Sequence, residues 1–116
     1  MNILVRGIHL KVSNAFVAHA EARVREALKH FAGHIEDVEI RVGDINGPRG
    51  GIDMNAWVIA TLAHGGPIIV EVAAADAYAA VDRAIAKLSV RTQRHVRRIR
   101  TEQLARHDEP PARHYA

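Results

Sequence analysis

Hydrophobic positions along the chain follow two different periods. From Asn2 they alternate: Ile3 and Val5 stand on one side, Leu4 and Arg6 on the other, and Gly7 breaks the pattern. Alternation is the period of a strand, so a first strand is expected over residues 2–10. The period then lengthens. Phe16, Ala20, Val24, Leu28 (with Ala27) and Phe31 recur at spacings of three and four, lining one face of an amphipathic helix. Ser13 stands where its hydroxyl can accept an unpaired amide of the first turn. Gly33, tolerant of a left-handed backbone, stands where that helix should stop.

Three more strands follow. Val38, Ile40 and Val42 alternate against Glu39 and Arg41 in DVEIRVGDI. Met54, Ala56, Val58, Ala60 and Leu62 share one side of MNAWVIATL, and HGGP turns the chain into IIVEVAA. Asp76 is placed to cap a second helix running to about residue 100. TEQLARHDEPPARHYA has paired prolines and no sustained period, so a loose tail over 101–116 is expected after one domain over 1–100. The order is β-α-β-β-β-α. Two helices with one apolar stripe each need a shared apolar sheet face. The expected fold class is therefore α+β, a two-layer sandwich of a four-stranded sheet with two helices on one face. The first crossover makes strands one and two parallel, and the last three strands form an antiparallel meander.

Composition adds little to this picture. At 116 residues, 48% hydrophobic and 25% charged, the chain fits one ordinary soluble domain with a real core. No apolar run approaches the ~18 residues of a membrane span, so no membrane partner is expected. The opening MNILVRGIHLKVS lacks the succession of segments that marks a secretory signal. The absence of cysteine excludes disulfides and thiolate metal sites and fits a cytoplasmic protein.

Charge changes the picture more. Residues 1–82 hold seven Lys/Arg and ten Asp/Glu, whereas 83–116 hold nine and three, and 83–100 hold seven basic residues and no acid. At ~100° per residue, Val81, Ile85, Leu88, Thr92, Val96 and Ile99 cluster on one helical face. Arg83, Lys87, Arg91, Arg94 and Arg98 form a second stripe about 140° away, flanked by Arg97 and Arg100. An exposed helix face usually mixes signs to gain i,i+4 pairs. Like charges without acids repel one another, which points to a polyanion such as the phosphates of a nucleic acid. The plainer alternative is a solvated face whose cations favour the C-terminal end of the helix dipole. The first helix adds Arg23, Arg25, Lys29 and His30, with Glu21 and Glu26 interleaved. If both helices lie on one sheet face, their outward sides join into one surface.

DAYAAVDRAIAKL at 76–88 and KHF at 29–31 carry a family pattern. Asp76, Tyr78, Ala79, Ala80, Asp82, Lys87, Leu88 and His95 match in order an Asp-x-Tyr-Ala-Ala-hydrophobic-Asp segment, a Lys-Leu pair and a basic run with a histidine. Over about residues 2–100 the chain resembles the ribosome hibernation promoting factors, also called ribosome-associated inhibitor A or protein Y. The resemblance implies a β-α-β-β-β-α domain that binds the small ribosomal subunit and its ribosomal RNA. Such a domain occupies the channel of transfer and messenger RNA and silences idle ribosomes, without catalysis or cofactor. By position, Arg23 and Lys29 on the first helix and Lys87 and Arg94 on the second would touch phosphates. Arg91, Arg97 and Arg98 extend the patch by charge. The family's Thr-Asp-Ala opening of the first helix appears here as SNA. The chain departs from the pattern in three places. Val90, with Arg91 next to it, stands where a basic residue is typical. After residue 100 there is no room for the C-terminal dimerisation domain of the long members, as in a short form. DINGPRGGID at 44–53 makes the connection between strands two and three glycine-rich and distinctive. Relatives also described as sigma-factor modulators imply an alternative, a non-catalytic module that binds another protein through the open sheet face.

Other candidates are weaker. GPRGG lacks the Gly-Lys-Ser/Thr ending and following helix of a phosphate loop, so Asn46-Gly47 and Gly50-Gly51 read as turns, with Arg49 at a hairpin tip. His30 and His34 are four apart without a clear third ligand, so no metal site is expected. No nucleophile-base arrangement with a local signature is present, and the protein is not read as an enzyme. The sheet offers one more surface. If Ile3 and Val5 face the helices, then Leu4, Trp57, Ile59 and Ile69 face the open side. There they form either an interaction face, including a weak homodimer, or plain cross-strand packing.

Overall fold

The computed structural model describes residues 1–44 and 53–108, the last four of these by backbone alone. The elements are β1 (Asn2–Ile8), α1 (Asn14–Leu28), a 3-10 segment (Lys29–His34), β2 (Ile35–Asp44), β3 (Met54–Leu62), β4 (Pro67–Ala74) and α2 (Ala77–Asp108). They form a four-stranded sheet in the order β1-β2-β3-β4. β1 runs parallel to β2, and the two remaining pairs are antiparallel. This is the expected two-layer α+β sandwich. Asn46-Gly47, Arg49 and Gly50-Gly51 lie outside the described residues.

Register explains the burial. Ile3, Val38, Ala60 and Ile68 form one row across the strands, and Val5, Ile40, Val58 and Val70 the next. These rows face the helices. Phe16, Ala20, Val24 and Leu28 from α1, with Val81, Ile85, Leu88 and Val96 from α2, close over them and are buried. Removing one such large side chain costs about 2–5 kcal/mol. Both expected caps form. Ser13 Oγ accepts from the Phe16 amide at 3.0 Å, and Asp76 Oδ1 accepts from the Ala79 amide at 2.8 Å.

Three boundaries differ from expectation. β1 ends at Ile8 rather than residue 10, because His9 takes a left-handed φ of 59°. The chain then doubles back so tightly that a Cβ on Gly7 would sit 2.1 Å from the Leu10 carbonyl oxygen. α1 ends at Leu28, whose φ of −111° and ψ of 10° leave the α region, and tightens into the 3-10 segment. Gly33 falls inside that segment, and the positive-φ glycines among the described residues are Gly65 and Gly66. α2 continues to Asp108, so 101–108 is helical rather than loose. Thr101, Glu102, Gln103 and Leu104 include good helix formers, and Pro110 comes too late to break the helix near residue 100. At 32 residues, α2 spans about 48 Å. It outruns the sheet, whose longest strand of ten residues covers about 33 Å.

Candidate nucleic-acid interface

α2 has two unlike flanks. One meets α1 across a groove lined by Arg23, Glu26, Ala27, Asp82, Ala86 and Ser89. There Asp82 Oδ1 lies 2.8 Å from His19 Nε2 and 3.4 Å from Arg23 Nε. Tyr78 sets its ring edge-to-face against Phe16 and His19, with centroids 5.1 and 5.0 Å apart. Ser89 Oγ donates to the Ala27 carbonyl at 3.2 Å. Lys29 Nζ is 3.1 Å from Glu26 Oε1. Arg25 and His30 are exposed. Two of the expected α1 cations, Arg23 and Lys29, therefore already have acidic partners.

The other flank overhangs the free edge of β4. Arg91 Nη1 donates to the Ile69 carbonyl at 2.8 Å. Arg94 and Arg98 stand with it around a concavity floored by Gly65 and Pro67. Lys87 and Arg83 continue the exposed stripe toward the start of the helix, and Arg97 and Arg100 are also exposed. Among the described residues, Arg83, Lys87, Arg94, Arg97, Arg98 and Arg100 make no ion pair. The stripe is a continuous, unneutralised positive surface. The interhelical groove, with its acids, separates it from the α1 cations, so the two sets do not merge into one uniform patch.

His95 takes a different role from its arginine neighbours. It is half-buried, and its Nε2 lies 2.8 Å from the His64 carbonyl oxygen. A carbonyl only accepts, so Nε2 carries the proton. The ring lies so close to Gly65 that a Cβ there would stand 2.3 Å from His95 Cε1. His95 thus latches the β3–β4 turn to α2.

Two central rows of the open face carry the expected residues. Leu4, Glu39, Ile59 and Ile69 form one, and Arg6, Arg41, Trp57 and Glu71 the other. Leu4 and Ile69 are 55% and 56% exposed, whereas Ile59 and Trp57 are half-buried. The indole reaches toward Gly43 of β2, where a Cβ would lie 3.8 Å from Trp57 Cζ3. Glu39 pairs with Arg6 at 3.0 Å and Arg41 at 2.9 Å, and Asn55 donates to Glu71. Among the described residues, no group of three or more metal-ligating side chains gathers, and no helix is long and apolar enough to cross a membrane.

Comparison with known proteins decides the family. The model described as Sigma 54 modulation protein / S30EA ribosomal protein matches residues 3–100. The chain belongs to the S30EA family. This is the family of the hibernation factors, a group of ribosome-associated proteins rather than an enzyme class. The Protein Y N-terminal domain of Thermus thermophilus is 25% identical, with a TM-score of 0.68, covering 82% of this chain and 99% of that one. A ribosomal subunit interface protein from Coxiella burnetii shares the fold at 17% identity, with a TM-score of 0.71, covering 82% of this chain and 97% of that one. No curated protein sequence matches significantly.

In this S30EA member the motif residues are mostly a helix clasp. Asp76 caps α2, Tyr78 sits on Phe16 and His19, Ala80 and Leu88 are buried, and Asp82 bridges to α1. Sequence reasoning named Asp82 and Tyr78 without these roles and missed His19 and Ser89. Their partners lie more than 60 residues away, a separation that no local pattern encodes. Val90, at the position where the family is typically basic, is 47% exposed between Lys87 and Arg94.

Proposed function

We infer that this chain is a cytoplasmic, non-catalytic hibernation factor. It binds small-subunit ribosomal RNA with the basic faces of its helices and blocks translation by occupying the transfer and messenger RNA channel. The observation that carries this reading is the α2 stripe, where five cations from Arg83 to Arg98 lie exposed on one face without an acid partner among the described residues. Cations left unpaired on a stable helix suit phosphates, because binding releases condensed counterions and relieves their mutual repulsion. Arg83, Lys87, Arg94, Arg97 and Arg98 contribute direct charge, and Arg91 contributes the donors left over from Ile69. Arg25 on α1 and His30 just after it have no acidic partner among the described residues, and Arg23 and Lys29 contribute less, because Asp82 and Glu26 already hold them. His95 acts through the turn it fixes. The similarity to Protein Y and to a ribosomal subunit interface protein supports the same reading.

The test is co-sedimentation with ribosomes at two salt concentrations. Binding should weaken steeply with salt, and charge reversal at Arg91, Arg94 and Arg98 should lower the log–log slope by about 2–3. Association that ignores salt would refute the phosphate mode.

A second reading applies to the open face, where Leu4 and Ile69 are exposed and Arg6 and Arg41 are already paired with Glu39. A two-fold axis along the strands would lay β1 of one copy over β4 of another and bring Leu4 against Ile69, favouring weak self-association. Trp57→Asp should abolish any concentration-dependent rise in solution mass. An unchanged mass profile would remove this reading and leave cross-strand packing.

A further inference from the structure

Four concavities run along α2, and their linings differ in sign. The groove beside α1 contains Glu26 and Asp82. The cleft at the end of the helix, between His64 and Gln103, contains Glu102. The third, of about 310 Å³ at the start of β4, contains no acid: Arg91, Arg94, His95 and Arg98 surround Gly65, Pro67 and Ile68. Its volume is at the lower end for small-ligand sites. The fourth also lacks acids, but its lining of Ala86, Lys87, Val90, Arg91 and Arg94 belongs to the helix alone, so no turn backbone closes it.

We propose that this third concavity is a discrete phosphate-binding notch, which fixes one phosphate group between three guanidinium groups and the β3–β4 turn. One of its walls is already organised. Arg91 is held by the Ile69 carbonyl at 2.8 Å, which leaves most of its N–H donors available. Arg94 and Arg98 lie one helical turn apart and have no acidic partner among the described residues. Guanidinium groups present donors in a fixed planar fork that suits phosphate oxygens, and forks fixed before binding lose less freedom on binding. The floor is also prepared. Gly65, in the lining, and its neighbour Gly66 have φ of 109° and 81°, and among the described residues nothing stands within 4 Å of the Cβ position of Gly66. The turn beside the notch therefore presents backbone rather than side chain. The His95–His64 bond at 2.8 Å holds this floor against α2.

The notch depends on the proposed ribosome reading only for the identity of its ligand as RNA. A phosphodiester of an RNA strand and the phosphate of a free nucleotide present the same chemistry. In the first case the notch sets the register of the stripe along the strand, and the remaining cations follow neighbouring phosphates.

The test uses the full chain, titrated with inorganic phosphate, with adenosine monophosphate and with a uridine hexanucleotide lacking terminal phosphate, while backbone and arginine N–H signals are followed by NMR. Shifts should concentrate at Gly65, Gly66, Ile68, Arg94 and Arg98. Arg94→Gln and Arg98→Gln should each weaken binding on the order of tenfold. Lys11→Gln removes the same charge away from α2 and should leave affinity within about twofold. Tighter binding of the hexanucleotide assigns the notch to RNA, and tighter binding of the monophosphate assigns it to a free nucleotide. Shifts spread evenly along α2, no shifts at all, or an equal loss in Lys11→Gln would overturn the notch. Ribosome co-sedimentation of the unmodified chain separates the two proposals. Normal pelleting without localised shifts removes the notch alone, and localised shifts without pelleting remove the ribosome reading alone.

Discussion

The two flanks of α2 both meet arginine, one from α1 and the other from the helix itself, yet they differ in what the charges touch. On the α1 side, Arg23 and His19 of α1 converge on Asp82, and Lys29 lies against Glu26. Facing the β4 edge, Arg94 and Arg98 have no acid among their described partners, and Arg91 meets a backbone carbonyl. The first flank is a fastening between helices. The second leaves its charge unneutralised among the described residues. Positive charge alone does not identify a binding surface; absence of internal neutralisation is the better criterion.

The strongest test reverses one flank and only neutralises the other. Arg91, Arg94 and Arg98 changed together to Glu should cut ribosome affinity by roughly 100-fold or more at moderate salt, as read by pelleting. Arg23→Gln should lose only a few-fold. Equal losses would erase the distinction between the flanks. Next in size is Gly65→Ala, which introduces a Cβ at positive φ against the His95 ring. It should destabilise the fold by about 2–3 kcal/mol in denaturant melts, with His95→Ala partly relieving the clash. Asp82→Asn should act in opposite directions on two readouts. Losing partly exposed ion pairs costs about 1 kcal/mol of stability at most, whereas releasing Arg23 raises ribosome affinity a few-fold. A fall in affinity would mean that Asp82 positions Arg23 rather than masks it. The smallest change concerns Thr92, which is fully buried with an unpaired Oγ1. Thr92→Val should raise stability by about 1 kcal/mol and leave ribosome binding unchanged.

Much of this architecture was legible from local pattern. Strand alternation located β3 at its observed bounds, and Ser13 and Asp76 identified both helix starts. The core stripe from Val81 to Val96 and the exposed stripe from Arg83 to Arg98 follow from 3.6-residue periodicity. The remainder depends on non-local contacts or on competition between weak effects. Gly33 had the right residue type for a left-handed stop, but the chain tightened at Leu28 first. The far end of α2 is decided by propensity without a core face, which periodicity does not report. His95 looked like one more cation in a basic run. Its partner is the carbonyl of His64, 31 residues earlier, brought close only when β4 folds under α2.

The contact between Arg91 and the Ile69 carbonyl has a consequence for aggregation. β4 is a terminal strand of the sheet, and a bare terminal strand invites another strand to zip onto it. Here one of its acceptors is occupied by a guanidinium, and Arg94 and Arg98 stand beside it. An incoming chain would have to displace one cation and settle against two more. Substitutions that strip this flank of charge therefore remove a guard as well as the proposed phosphate contacts. Loss of ribosome binding in such variants must be read beside their light scattering, because a protein that begins to associate through β4 would mimic one that has lost its grip on RNA.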